Sequence, residues 1–189
     1  MLRSLMISAT ALAWAVVLPA QEHWRPPSVE VRPFAGVFVP VGAQRSDFKS
    51  ATMFGAQGAI EVNRHLHGLV SLGWTHGHNK LYVADVTQIW QYDIGAELNA
   101  VRDVGFGWYF RPFAGMGLGG RTYNYEASEV STKSCTAGYG TLGGEMQRNV
   151  IALRAEVRDY LSCYESPLSG KKNTRNDLGI TFGLAYHLR

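Results

Sequence analysis

The residues of this chain best placed to do chemistry are ionisable groups set two positions apart. Glu30 precedes Arg32 by two, Asp93 and Glu97 share one parity, and Arg154, Glu156 and Arg158 follow in alternation. A spacing of two puts side chains on the same face of a β-strand. Glu61, Arg111 and Glu145 belong to the same set by parity, which makes four basic and six acidic groups on inward faces, with Arg121 and His187 as further members. Charges enclosed in this way must find partners, because an isolated buried charge is prohibitively costly. The chemistry on offer is therefore ion pairing. It could be a static network that plugs and rigidifies an interior. It could also be a polar path along which Arg111, Arg154 or Arg158 exchanges carboxylate partners.

Other chemistries fit less well. His65 and His67, and His76 and His78, have a ligand-like spacing of two. Neither pair has a cysteine or carboxylate at a recognised ligand spacing, so they read as surface histidines, and no metal or cofactor is expected. Serine catalysis needs a serine, a positioned histidine and a carboxylate. Ser71 has no obvious partner, His187 is the one histidine expected within a membrane-spanning strand, and no enzymatic activity is expected.

The elements that hold these groups are strands. From Leu178 to Leu188, apolar Leu178, Ile180, Phe182, Leu184, Tyr186 and Leu188 alternate with small or polar residues, the mark of a strand with two unlike faces. Strands are expected at 29–39, 54–63, 69–76, 86–99, 106–121, 135–146, 150–161 and 177–189. Short connections (Arg64–Gly68, Ala100–Gly105, Gln147–Asn149) alternate with long polar ones (Pro40–Met53, Gly77–Asp85, Thr122–Ser134, Ser162–Asn176). Outward rows are apolar, such as Trp90, Tyr92, Ile94, Ala96 and Leu98, while the intervening residues are polar or glycine. Trp74 and Trp90 fall near one end of the strands and Trp108 and Tyr186 near the other, as two membrane interfaces favour. A soluble barrel would put the apolar rows inside. The expected fold is all-β: an eight-stranded antiparallel up-and-down transmembrane β-barrel, with short turns and both termini in the periplasm and four long loops outside.

Residues 1–20 carry one charge (Arg3) and an apolar run ending Leu18-Pro19-Ala20. They read as a secretory signal peptide, leaving 21–189 as one barrel domain. The 18 basic and 15 acidic side chains nearly balance, which leaves no footprint for nucleic acid. Cys135 and Cys163 are equidistant from residue 149, so a hairpin folded about that residue sets them opposite each other. In an exported chain this spacing predicts a disulfide, worth about 3 kcal/mol by chain entropy. Lys171, Lys172 and Arg175 form a basic cluster suited to lipopolysaccharide phosphates or to ordinary solvation.

Arg32-Pro33-Phe34-Ala35-Gly36, Arg111–Gly120 (RPFAGMGLGG), Gly138–Glu145 (GYGTLGGE), Leu153–Tyr160 (LRAEVRDY) and the terminal strand occur in the order and spacing of a known family. In these segments the chain resembles the small outer-membrane β-barrels typified by the transmembrane domain of outer-membrane protein A and by opacity-type proteins. The resemblance implies a monomer in the bacterial outer membrane. Thr181, Gly183, Tyr186 and Leu188 resemble the C-terminal signal read by the barrel-assembly machinery, although the last residue is Arg189 rather than an aromatic. It also implies a sealed barrel or a very small channel. The expected function is a structural, surface-interacting barrel that contributes to envelope integrity and contacts its surroundings through the outer loops. The alternative is a narrow channel for ions or small solutes. No peptidoglycan-binding domain is expected after the barrel.

Overall fold

The computed structural model describes residues 28–41, 49–78, 86–125, 132–165 and 172–188, with side chains at 125, 133, 163–165 and 172–175 outside that description. The expected signal peptide, residues 1–20, lies outside the described residues. Nine strands follow one another: β1 (Val29–Val41), β2 (Ala51–Asn63), β3 (Leu66–His78), β4 (Val86–Asn99), β5 (Arg102–Gly105), β6 (Trp108–Tyr125), β7 (Lys133–Arg148), β8 (Ile151–Glu165) and β9 (Lys172–Leu188). Eight of them form a closed antiparallel barrel in which β4 pairs with β6 and β9 returns to β1. The four-residue β5 pairs only with β6 and hangs below the wall as one arm of a ribbon.

The register defines the barrel. Crossing from partner to partner, Val29 leads to Ile60, Gly68, Ala96, Met116, Gly140, Asp159 and Leu178, and the circuit re-enters β1 at Val39. The ladder thus closes ten residues further up the strand than it began. Eight strands with that stagger tilt by about 40° and leave an interior just wide enough for side chains. Because the stagger is even, each strand keeps its inward and outward faces around the whole circuit. Ile94, Met116, Leu118 and Phe182 point outward and are each about two-thirds exposed (67%, 65%, 65% and 66%). The fully buried side chains include Arg32, Arg121, Gln91, Glu30, Glu97 and Glu145. A polar inside and an apolar outside are what lipid requires and what water forbids.

All eight barrel strands lie where the alternation predicts, and most run further at their outer ends. β2 begins at Ala51 and β9 at Lys172, because backbone pairing continues among polar residues above the apolar belt. All three short turns differ from expectation. The one after β2 is confined to Arg64 and His65, since β3 already begins at Leu66. The chain expected to turn at Ala100–Gly105 continues as β5 and reverses at Phe106–Gly107, where Gly105 (φ 88°), Phe106 (φ 56°) and Gly107 (φ 75°) take left-handed conformations. The β7–β8 hairpin turns at Asn149–Val150, and its partners run from Arg148↔Ile151 to Ala137↔Ser162. That register is one residue out of step with a turn centred on 149. Continued upward, it sets Cys135 opposite Tyr164 rather than Cys163. The side chain of Cys163 lies outside the described residues.

Glycine shapes the wall at points of close approach. A Cβ on Gly117 would lie 2.3 Å from the Ile94 carbonyl oxygen and 2.6 Å from the Tyr139 ring. Tyr139 thus lies flat across the bare backbone of the β4–β6 wall. The Arg-Pro-Phe-Ala-Gly repeat does the same work twice. Phe34 covers Gly55 on β2, and Phe113 covers Gly143 on β7, each on the next strand of the barrel. Above the charged middle, Phe38, Met53, Ile89 and Tyr123 close into an apolar cluster inside the barrel, with Phe34 and Cys135 packed against it.

Candidate functional site

Inward parity from seven of the eight wall strands converges on one column of charge, arranged in three tiers. At the short-turn end of the barrel, Glu30 on β1 stands directly across the closing seam from His187 on β9. His187 Nδ1 lies 2.9 Å from Glu30 Oε1, and its Nε2 lies 3.4 Å from Glu145 Oε1. Arg111 Nη1 approaches the same two oxygens at 3.0 and 3.5 Å. Arg32 donates through Nε to Glu30 Oε2 at 2.8 Å and pairs with it again through Nη2. The paired residues of β1 and β9 skip Arg32 and Pro33, where proline has no N–H to give. Side-chain pairs therefore help to hold this part of the seam.

In the middle tier Glu97 accepts from Arg154 Nη2 at 2.5 Å and faces Arg32 Nη1 at 3.4 Å. Glu156 is fully engaged: Arg154 Nε (3.1 Å) and Gln57 Nε2 (3.1 Å) donate to one oxygen, Arg158 Nε (2.8 Å) and Thr141 Oγ1 (3.0 Å) to the other. Arg158 Nη1 and the Tyr160 hydroxyl both donate to Asp93 Oδ2 at 3.1 Å. In the upper tier, beneath the apolar cluster, Arg121 donates to Asp177 at 2.6 Å, with both side chains wholly buried. Three guanidinium groups also stack on rings: Arg154 on Phe113 (3.6 Å), Arg121 on Tyr160 (3.9 Å) and Arg158 on Tyr139 (4.3 Å). A planar guanidinium can hydrogen-bond in its plane and stack on its face together, which lysine cannot.

Of the ten groups expected in the lumen, the structure brings nine into this column. Glu61 stands apart at the short-turn edge, where it accepts from Ser28 Oγ at 2.7 Å and makes no ion pair among the described residues. Four more join: Arg121 and His187, the further members expected from parity, and Asp177 and His67. His67 corrects the surface reading of the histidines. It is buried (4% exposed), 3.5 Å from Arg32 Nη2, 3.3 Å from Asn99 Nδ2 and 3.9 Å from Glu97. The reason is length: β3 begins at Leu66 rather than 69, which puts His67 on the inward parity. His76 and His78 stay on the outer end of β3 with their rings edge to face. Asp177 was legible by the same parity as His187. Lys171 lies outside the described residues, while the backbones of Lys172 and Arg175 pair with Glu165 and Ser162.

Charge counting shows what the column needs. Its described, largely buried members are five arginines (Arg32, Arg111, Arg121, Arg154, Arg158) and six carboxylates (Glu30, Asp93, Glu97, Glu145, Glu156, Asp177). His187, between two carboxylates, supplies the sixth positive charge when protonated. Glu30, Glu145 and His187 offer ligand atoms within 4.8 Å of one another, but the two carboxylate oxygens concerned already face Arg111. The guanidinium occupies the cationic role a metal would take. Ser71 faces the lumen with Arg158 Nη1 at 3.5 Å, and a guanidinium cannot act as its base.

No family model matches the chain, and no curated protein matches it in sequence. Solved structures do match in fold. Neisserial surface protein A shares 11% identity over 86% of this chain and 99% of its own, with a TM-score of 0.61. The outer membrane protein OprG from Pseudomonas aeruginosa shares 12% identity over 86% and 96%, at 0.57. The N-terminal β-barrel domain of OprF from the same organism shares 14% over 85% and 97%, at 0.56. With its apolar outer belt and charged interior, the chain has the fold of these small eight-stranded β-barrels.

Proposed function

We propose that the barrel is a structural, surface-interacting protein whose lumen is plugged by the charged column and the apolar cluster above it. The observation that carries this reading is continuity. Ionic and hydrogen-bonded contacts run from His187 and Glu30 through Glu97 and Glu156 to Asp93 and Tyr160, where Arg121 stacks. The dry cluster of Phe38, Met53, Ile89 and Tyr123 follows directly. Buried charges linked in this way tie the strands that carry them to one another. Function then falls to the outer surface, without enzymatic chemistry. Lys172 and Arg175, near the start of β9, and Lys171 just before them in sequence would pair with lipopolysaccharide phosphates. Export by the leader, insertion by the barrel-assembly machinery and a monomeric state complete the proposal.

The alternative is a narrow channel. It draws support from arginines that face more than one carboxylate, such as Arg154 with Glu97, Glu156 and Glu145 at 2.5, 3.0 and 3.5 Å. Such a group can change partners without losing its charge balance. Planar-bilayer conductance of the refolded chain, beside an Arg154→Ala variant, tests both. A silent wild type supports the plug. Discrete wild-type openings that change in the variant would replace it with the channel.

A further inference from the structure

The periplasmic rim carries features that neither plug nor channel uses. Each described periplasmic turn or ribbon places one exposed arginine there: Arg64 after β2, Arg102 on β5 and Arg148 at the end of β7. Two described acidic groups lie near them: Asp103 accepts from the Gly105 amide at 2.7 Å and caps the hairpin tip, and Glu61 accepts from Ser28 Oγ at 2.7 Å. Three arginines against two carboxylates leave the described rim with a net positive charge.

The β5–β6 ribbon adds an apolar tip. Phe106 is 97% exposed, the most exposed of the large hydrophobic side chains among the described residues, and Val104 beside it is 51% exposed. Phe106 holds φ at 56° between two glycines of positive φ. A bulky residue seldom adopts this conformation, so the turn keeps the ring outside the ribbon. The ribbon is continuous with the lipid-facing surface: Leu98 on β4 and Phe110 and Trp108 on β6 lead down to it, and Arg148 lies over the Trp108 ring at 5.5 Å.

Depth follows from the stagger. A strand tilted by about 40° climbs roughly 2.5 Å along the barrel axis per residue. Arg64 is two residues from the outward-facing Val62 and Leu66, and Arg148 two from Met146. The arginines therefore lie about 5 Å below the last lipid-facing side chains, within a headgroup layer roughly 5–8 Å thick. Phe106, two residues past the outward-facing Trp108, lies about 5 Å beyond that ring along the axis.

We propose that the periplasmic rim is a binding collar for anionic phospholipids, in which Arg64, Arg102 and Arg148 hold headgroup phosphates and Phe106 seats among the headgroups. Guanidinium groups suit phosphate oxygens by geometry and charge, and an aromatic tip prefers the interfacial layer to water.

Amide and arginine side-chain NMR of the refolded chain in lipid nanodiscs tests the collar. Two discs are compared: phosphatidylcholine alone, and phosphatidylcholine mixed with phosphatidylglycerol. Lipid spin-labelled near the headgroup should erase the Phe106 and Gly107 amide signals, and a soluble gadolinium chelate should leave them. Phosphatidylglycerol should shift the Nε–H resonances of the three arginines progressively, and the shift should shrink with added salt. An R64Q/R102Q/R148Q variant should lose the accompanying shift at Phe106. The reverse relaxation pattern would put the tip in water, favour a periplasmic protein as partner and overturn the collar. Arginine resonances indifferent to phosphatidylglycerol would also overturn it. Both readouts use the wild-type chain, so neither depends on the variant folding.

Discussion

Asp177→Asn should destabilise the barrel more than Glu97→Gln, although both remove one wholly buried carboxylate charge. The reason is the number of partners left behind. Glu97 serves Arg154 and Arg32. After its loss Arg154 retains Glu156 at 3.0 Å and Arg32 retains Glu30, so the cost is one charged hydrogen bond, about 1.5–3 kcal/mol. Arg121 meets a single carboxylate among the described residues, Asp177 at 2.6 Å. Around it are the rings of Tyr160 and Phe38 and the apolar cluster. Its guanidinium would then be buried without a counter-charge among the described residues, a loss of about 3–5 kcal/mol. Urea unfolding in lipid vesicles, read by heat-modifiable gel mobility and tryptophan fluorescence, measures both. If Glu97→Gln lost as much stability as Asp177→Asn, or more, partner redundancy would not be what distinguishes the tiers.

Two further outcomes are expected. Gly117→Ala should lower stability by about 1–3 kcal/mol, because its Cβ would meet the Ile94 carbonyl oxygen at 2.3 Å. Gly140→Ala, where nothing lies within 4 Å, should stay within about 0.5 kcal/mol of wild type, and equal losses in the same unfolding assay would reject the close-approach account. Asp159, an exposed carboxylate on the outward face between Gly140 and Leu178, lies in the upper part of the belt. Asp159→Leu should raise stability by up to about 1 kcal/mol in vesicles, and a measured loss would place that carboxylate in contact with something other than lipid.

Much of this was legible because a strand has period two. Once the parity of β8 was set by Leu153 and Val157, the inward placement of Arg154, Glu156 and Arg158 followed without knowledge of any partner. The same parity extended to β9 would have included Asp177. What parity could not supply was where a strand stops. His67 looked like a turn residue because glycine and histidine near its start carry no apolar signal. Phe106 looked like strand, since an aromatic flanked by glycines reads equally as wall or as tip. Nor could alternation set the β7–β8 register. Asn149 at φ 57° fixes a two-residue turn, and one residue there decides what faces Cys135. Which carboxylate meets which arginine depends on the stagger across the barrel, a property of the closed sheet and not of any single strand.

The ten-residue stagger also limits how such a chain can change. Adding one residue to any wall strand would bring the circuit back at an odd offset, so lipid-facing and lumen-facing rows would exchange places downstream unless a bulge absorbed the extra residue. Adding two would keep the parity but alter the tilt and girth on which every arginine contact depends. Loop segments carry no such counting rule, since the ladder does not pass through them. Length variation among descendants of this chain should therefore accumulate in the outer loops while strand lengths stay locked, and a foreign peptide grafted there would leave the counting of the wall untouched.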